Sequence, residues 1–184
     1  MVCWLLVGKA YSKFYCSCGE HLFGSFGSRG IVEFCESKKE KYDIAIRLYN
    51  TDRTDKNGVM RGVETSQNNR QDVYMYMIFL IALIVATPIS IRRKLWALLW
   101  GVILIHCFIF LRLAAYIFEQ FSEESLGLFN ISPSWKSAFY TLYQQFIANV
   151  NFGFVVAVFI WILVSFRRED WQRIITAQSR GGKK

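Results

Sequence analysis

Several polar side chains lie inside long apolar stretches of this 184-residue chain, where they are the residues best placed to do chemistry. Measured from the basic end of its stretch, Arg112 lies about 26 Å along a helix, and Asn149 and Asn151 lie about 24–27 Å along theirs. Polar groups are costly in hydrocarbon, so they tend to pair or to mark a functional site. The sequence predicts an intramembrane cluster of Arg112, Asn149 and Asn151, extended by Gln145. The alternative is that Arg112 snorkels to the lipid headgroups while the amides face water.

His106 is a second candidate, about 16 Å along the same stretch as Arg112. A protonatable histidine at that depth can serve a proton or quinone path. The apolar stretches contain no acidic residue that would relay the proton. We therefore expect His106 to form a hydrogen bond between helices instead.

The cysteines and the other histidine offer a third kind of site. Thiolates of Cys16 and Cys18 with the imidazole of His21 have the chemistry to hold zinc or copper. Their spacing lacks the paired C-x2-C of common zinc motifs, so we predict neither a metal nor a cofactor. In an oxidising compartment, Cys35 has the alternative of a disulfide with Cys16 or Cys18.

Enzyme signatures are absent from the sequence. There is no P-loop, no Gly-x-Ser-x-Gly, no His-Glu-x-x-His and no dinucleotide-binding glycine pattern. The acidic pair Glu123-Glu124 is most simply a solvated loop. We predict a protein that is not an enzyme and has no catalytic residue.

Three apolar stretches must position these side chains, and they determine the predicted fold class. They cover residues 73–91, 95–118 and 139–166, each about 20 residues or more, enough to cross a ~30 Å hydrocarbon core. The sequence predicts an integral membrane α-helical protein with three transmembrane helices. A small extracytoplasmic β-meander precedes them, and an incomplete or interfacial helix forms the N-terminus.

The charge pattern predicts the orientation in the membrane. The net charge of +8 would suit nucleic-acid binding in a soluble protein, but nine of the 22 Lys and Arg residues lie in the loop between the first two apolar stretches or after the third. They are Arg92, Arg93, Lys94, Arg167, Arg168, Arg173, Arg180, Lys183 and Lys184. The loop 119–135 contains Glu119, Glu123 and Glu124 but no Lys or Arg. Because short basic loops stay cytoplasmic, we expect a multi-pass membrane protein with a cytoplasmic C-terminus, an extracytoplasmic segment before the first apolar stretch, and no nucleic-acid partner.

Four regions follow from these patterns. Residues 1–27 form an N-terminal interfacial or partial transmembrane helix, and residues 28–72 form the extracytoplasmic strand-rich segment. Within that segment, strands are predicted at 31–35, 42–49 and 59–65, where Ile44, Ile46 and Leu48 alternate with polar positions. Residues 73–168 form the three-helix transmembrane domain, and 169–184 form a basic cytoplasmic tail.

Three short motifs carry a resemblance to a known family. The first helix closes with Ala86-Thr87-Pro88, the outer loop ends with Ser132-Pro133-Ser134-Trp135, and the last stretch contains Tyr143-Gln144-Gln145-Phe146. In this order the chain is similar, over roughly residues 30–166, to the exosortase H-associated small membrane protein family. The resemblance implies a further helix before the strands and an accessory role, with no catalytic residue to carry over.

The predicted function is therefore that of a non-catalytic inner-membrane accessory protein. Its partners would be membrane lipid and a larger integral membrane protein, an exosortase-like protease active in protein sorting and export. One alternative is an accessory structural subunit of an energy-converting complex, respiratory or photosynthetic. Another is a component of a small transporter or channel, which would need polar residues along one helix face, and 73–91 offers almost none.

Overall fold

The computed structural model describes residues 2–26, 29–37, 44–54, 60–67, 74–123, 126–129, 132–147 and 149–166. The predicted basic tail, 169–184, lies outside these described residues. The elements in chain order are α1 (Val2–Phe23), β1 (Ser25–Phe26), β2 (Gly30–Glu36), β3 (Ile44–Thr54), β4 (Met60–Gln67), α2 (Met75–Ala86), α3 (Ile91–Ser122), α4 (Pro133–Leu142), a π-helical turn (Tyr143–Ile147) and α5 (Val150–Ser165).

The strands form one antiparallel sheet in the order β1-β2-β3-β4. β2, β3 and β4 lie where alternation of apolar and polar residues predicted strands, and the two-residue β1 adds a short edge. On one face Ile44, Ile46 and Leu48 are fully buried. On the other face Arg47 donates from Nε to Oε2 of Glu64 at 3.0 Å across the β3–β4 pair. The period of two thus separates a core face from a charged face.

The chain divides into two compact units. Unit 1 comprises Met1–Tyr74 and Ile109–Asn149, which hold α1, the sheet, the second part of α3 and α4. Its core includes Tyr15, whose ring lies edge-on to Phe34 of β2 and is stacked on Phe110 of α3 at centroid distances of 6.5 and 5.6 Å. Aromatic rings therefore join the first helix to both the sheet and α3.

Unit 2 comprises Met75–Phe108 and Val150–Lys184, which hold α2, the first part of α3 and α5. In α2, Tyr76, Leu80 and Ile84 are fully buried. These positions are four residues apart, so they form one face of the helix.

The prediction of three transmembrane helices is wrong. Among the described residues, one helix, Ile91–Ser122, is long and apolar enough to cross a membrane. A second span results only if Pro133–Gln145 and Val150–Ser165 are taken together across the break between them.

The reasons for this difference lie at the ends of the predicted stretches. The first stretch is helical only over Met75–Ala86, about 18 Å, because Pro88 cannot donate a backbone hydrogen bond and its ring disfavours helix before it. Arg92, Arg93 and Lys94 do not form a loop but lie in the first turn of α3, where Arg and Lys are good helix formers. The third stretch is interrupted before Val150 by Asn149, a residue type that favours helix starts over helix interiors.

Candidate functional site

The helices of unit 2 contact one another through small residues. A Cβ added to Gly153 of α5 would lie 2.4 Å from ring atoms of Tyr76 on α2, so that ring rests directly on the glycine backbone. A Cβ on Gly101 of α3 would lie 3.0 Å from Cδ1 of Ile84. Gly153 and Ala157 are buried four residues apart, as are Ala97 and Gly101. This small-xxx-small spacing lets helix backbones approach closely and is common between helices in lipid.

Many large apolar side chains of the same helices are exposed. In α5 the exposed positions include Phe159 at 69% and Leu163 at 72%. Exposed apolar residues in α2 and the first part of α3 are Met75, Ile78, Val85, Ile91, Leu95, Trp96, Leu99, Trp100 and Ile103. Exposed apolar side chains in such number mark a membrane or protein interaction site.

Polar contacts join helix ends at one end of unit 2. Arg93 donates from Nη2 to the carbonyl O of Ser165 at 3.3 Å, and Lys94 donates from Nζ to the carbonyl O of Val85 at 2.7 Å. The carbonyls at a helix C-terminus lack intrahelical partners and carry partial negative charge. The two basic residues at the start of α3 therefore satisfy the last turns of α2 and α5.

A groove of about 490 Å³ opens beside these contacts, between the start of α3 and the end of α5. Its lining includes Arg93, Trp96, Trp100, Leu104, Leu163 and Phe166. Among the described residues, the groove thus combines apolar and aromatic walls with the guanidinium group of Arg93.

A second cavity, of about 300 Å³, lies in unit 1 where α3 ends and α4 begins. Glu119 and Glu123 line it together with Lys136, Phe139 and Tyr140. Glu119 lies in the last turn of α3, and Glu123 directly follows that helix. The two carboxylates are four residues apart, which is the spacing of neighbouring side chains on a helix surface. The cavity is therefore lined by acidic and basic side chains beside aromatic rings.

His106, predicted to hydrogen-bond between helices, lies half-buried in α3. Its Nδ1 donates to the carbonyl O of Val102 at 2.7 Å, one turn earlier in the same helix. This bond places the proton on Nδ1 in the neutral ring. The hydrogen bond between helices stays a prediction.

The four residues of the predicted polar cluster lie on different elements. Arg112 is half-buried in α3, and Gln145 is exposed in the π-helical turn. Asn149 is exposed immediately before α5, and Asn151 is exposed in its first turn. Arg112, Gln145 and Asn149 belong to unit 1, whereas Asn151 belongs to unit 2. The grouping of these side chains stays a prediction.

The described cysteines carry thiols. Cys16, Cys18, Cys35 and Cys107 form no disulfide with one another, and Sγ of Cys35 accepts a weak hydrogen bond from Nη1 of Arg47 at 3.9 Å. Within the described ranges, no three or more His, Cys, Asp and Glu side chains are grouped to hold a metal ion, Cys16, Cys18 and His21 included.

Two pKa shifts in unit 1 reflect local contacts. Burial, reinforced by the neighbouring Tyr15 and Tyr74, raises the pKa of Tyr11 far above its usual range. The hydrogen bond from Arg47 to Glu64, with the charge of that carboxylate, raises the pKa of the Arg47 guanidinium. Both groups therefore keep their neutral-pH protonation state at every physiological pH.

Comparison with known proteins adds no assignment. No protein-family model, no curated protein and no solved structure matches the chain. The resemblance to the exosortase H-associated family therefore stays a prediction, and function must be argued from the helices of unit 2.

Sequence reasoning missed two features of this surface. The first is the pairing of Gly153 with Tyr76, although the Gly-xxx-Ala spacing of Gly153 and Ala157 was a usable signal. The second is the groove at Arg93. The sequence pattern that could have indicated the groove is a basic residue followed by Trp96 and Trp100, which are one helical turn apart at the start of an apolar stretch.

Proposed function

We propose that this chain is a non-catalytic accessory protein of the bacterial inner membrane that binds a larger integral membrane protein. The observation that carries the proposal is unit 2, where small residues lie at the helix contacts and many large apolar residues are exposed beside the buried ones. In water, burial of these exposed residues would be favoured. In lipid there is no such drive between helices, so close packing through Gly and Ala dominates.

The contacts at the two ends of α3 support the predicted orientation. Arg92, Arg93 and Lys94 at its start favour the cytoplasmic side. Arg93 bonds the carbonyl of Ser165, which favours a cytoplasmic end for α5 as well. Beyond the acidic end of α3, the carbonyl of Leu126 accepts a hydrogen bond from Asn50 of β3, which favours a periplasmic strand-rich segment.

The choice of partner rests on the resemblance stated above and on the exposed face of α5. We assign the exposed face of α5, at Val155 and Phe159, to a helix of an exosortase-like protease that acts in protein sorting and export. Apolar side chains spaced four residues apart on one helix face are the usual docking surface for another helix.

The first test is extraction of native membranes. The full chain should stay in the pellet at alkaline pH, where proteins bound by charge alone are released. Quantitative release would contradict the membrane assignment, because α3 would then not be inserted.

The second test is purification of a C-terminally tagged chain from its native membrane in mild detergent, with mass spectrometry of the co-purifying proteins. A multi-helix protease of the exosortase type at near-equal amount is the expected partner. Its recovery should fall for Phe159→Asn and stay unchanged for Leu22→Asn, an equally apolar-to-polar change at an exposed position of α1. Redox or pigment-binding subunits in place of the protease would contradict the sorting role and support an energy-converting complex.

A further inference from the structure

The helix α4 has one apolar strip along its length. Trp135, Ala138 and Leu142 are spaced three and four residues apart, so their side chains lie on one face of the helix. All three are exposed, Trp135 at 73% and Leu142 at 56%. We call these three residues the apolar strip. The strip is largely uncovered by the part of the chain that the structure describes.

The opposite side of α4 faces the end of α3. At 100° per residue, Tyr140 lies about 140° around the helix from Trp135, and Lys136 lies about 100° from it. Both residues line the cavity of about 300 Å³ that Glu119 and Glu123 line from the end of α3. The polar side of α4 is thus directed toward its own protein, and the apolar strip is directed outward. In water the opposite arrangement would be favoured, because burial of apolar surface stabilises a fold.

Ring contacts fix the rotation of α4 about its own axis. Phe139 lies edge-on to Phe118 of α3 at a centroid distance of 5.1 Å, and Tyr143, one turn later, stacks on Phe139 at 6.5 Å. Phe118 also contacts Phe129, at a centroid distance of 5.4 Å. Phe139 lies about 40° around the helix from Trp135, so its packing on α3 leaves the strip beside the contact and exposed. The outward direction of the strip therefore follows from the packing of unit 1.

The area of the strip decides which kind of surface covers it. A large aromatic side chain covers about 150–250 Å², so one tryptophan, one leucine and one alanine together offer roughly 300–400 Å². A stable interface between proteins buries about 800 Å² on each partner. Contact with lipid has no such lower limit, since burial of each apolar side chain is favourable by itself. The strip is therefore too small for a protein interface of its own, and lipid fits it.

The length and composition of α4 indicate how it meets the lipid. Its ten residues reach about 15 Å, half of the ~30 Å hydrocarbon core. Four of them, Ser134, Lys136, Ser137 and Thr141, are polar. The helix contains no Asp or Glu, so none of its side chains repels the phosphate groups of a lipid surface. A helix with one apolar strip, a tryptophan and a basic residue is typical of an interfacial helix, which lies along the membrane surface.

We propose that α4 is an interfacial helix whose apolar strip inserts into the acyl region of one leaflet, with the helix axis parallel to the membrane surface. Trp135 and Leu142 then lie at the same depth. If α4 were the first part of a span, Leu142 would lie about 10 Å deeper than Trp135. The inference rests on the proposed membrane location, and it is independent of the identity of the protein partner.

The test is tryptophan fluorescence of the full chain in vesicles of brominated phosphatidylcholine, because bromine on an acyl chain quenches only nearby indole rings. The signal of Trp135 is the difference between the unchanged chain and Trp135→Phe. We expect bromine near the headgroup to cause a larger loss of this signal than bromine near the end of the acyl chain. In a Trp135→Phe background, Leu142→Trp should show the same dependence on bromine depth.

Tyr140→Trp in the same background is the matched control, because position 140 is also exposed, at 53%, but lies on the opposite side of α4. Its fluorescence should be quenched by iodide in the water and little changed by brominated lipid. Ala138→Trp supplies a further position in the strip, so the test does not depend on the folding of one variant. The thermal unfolding midpoint of each variant should stay near that of the unchanged chain.

Two results would overturn the interfacial helix. The first is a Leu142→Trp signal that is quenched by deeper bromine than the signal of Trp135, since α4 would then cross the membrane. The second is a set of strip signals that brominated lipid leaves unchanged, since the strip would then face water or a protein. Either result in a chain that stays in alkaline-extracted membranes would overturn this inference alone. Release from the membrane at alkaline pH would overturn the proposed function.

Discussion

The indole Nε1 of Trp161 donates a 2.8 Å hydrogen bond to the hydroxyl Oγ1 of Thr87. The same hydroxyl donates to the carbonyl O of Leu83 at 2.7 Å. Thr87 therefore closes the last turn of α2 and also joins that turn to α5. The contact fixes the position of the end of α2, immediately before Pro88 turns the chain.

Replacing Trp161 by Phe should destabilise unit 2 by about 0.5–1.5 kcal/mol. An aromatic ring remains at position 161, but Oγ1 of the buried Thr87 no longer accepts a hydrogen bond from the indole Nε1. Thermal unfolding in detergent measures the change. Trp135→Phe is the matched control, because Trp135 is 73% exposed in α4, and its midpoint should not move. Equal shifts of the unfolding midpoint for the two variants would mean that loss of the hydrogen bond costs nothing beyond the change to a smaller ring.

Gly153 is the position where the packing of unit 2 has least room. Gly153→Val places new atoms where the ring of the fully buried Tyr76 lies, and overpacking of this kind costs about 1–3 kcal/mol. We expect a lower unfolding midpoint and a weaker near-ultraviolet signal from Tyr76. Val155→Leu, on the exposed face of the same helix, should leave both unchanged. A Gly153→Val variant as stable as the unchanged chain would contradict close packing of α5 on α2.

Much of the local structure follows from sequence patterns. The alternation at Ile44, Ile46 and Leu48 predicted a strand, and these three residues are fully buried in β3. Pro133 begins α4 directly after Ser132, and a serine followed by a proline is typical of a helix start. In each case the signal is local, because the backbone geometry of the residue itself decides the outcome.

The helix count failed for a different reason. A hydropathy pattern does not distinguish a loop from a helix turn at Arg92, Arg93 and Lys94, since basic residues are compatible with both structures. In the helix, Arg93 and Lys94 also contact the distant ends of α5 and α2, through the carbonyls of Ser165 and Val85. The same limit applies to the groove at Arg93, whose two walls are about 70 positions apart in sequence and meet only through tertiary packing.

Asn50 is a buried polar residue that joins the sheet to the segment after α3. Its Nδ2 donates to the carbonyl O of Leu126 at 2.6 Å, and its Oδ1 accepts from the backbone N of Asp52 at 2.9 Å. Asn50→Leu keeps a branched side chain with the same number of heavy atoms but leaves both backbone groups without this partner, at a cost of about 1–3 kcal/mol. Thermal unfolding should show that loss. Thr51→Val, a change at the exposed neighbouring position, should stay within about 0.5 kcal/mol, and a comparable loss there would contradict a specific role for Asn50.

Tyr11 should make unit 1 sensitive to alkaline pH. Its ring lies edge-on to that of Tyr74 at a centroid distance of 4.9 Å, and burial raises the pKa of its hydroxyl above that of the unfolded chain, about 10. Folding therefore favours the neutral phenol. The stability that this preference contributes is fully present below about pH 10 and is lost as the pH rises toward the folded pKa.

Tyr11→Phe removes the titrating hydroxyl, so its unfolding midpoint should fall less steeply than that of the unchanged chain between about pH 9 and pH 11. Leu22→Ala, an exposed position of the same helix without a titrating group, should leave the slope unchanged. Parallel pH profiles for the unchanged chain and Tyr11→Phe would show that the phenol of Tyr11 ionises as readily in the folded chain as in the unfolded one.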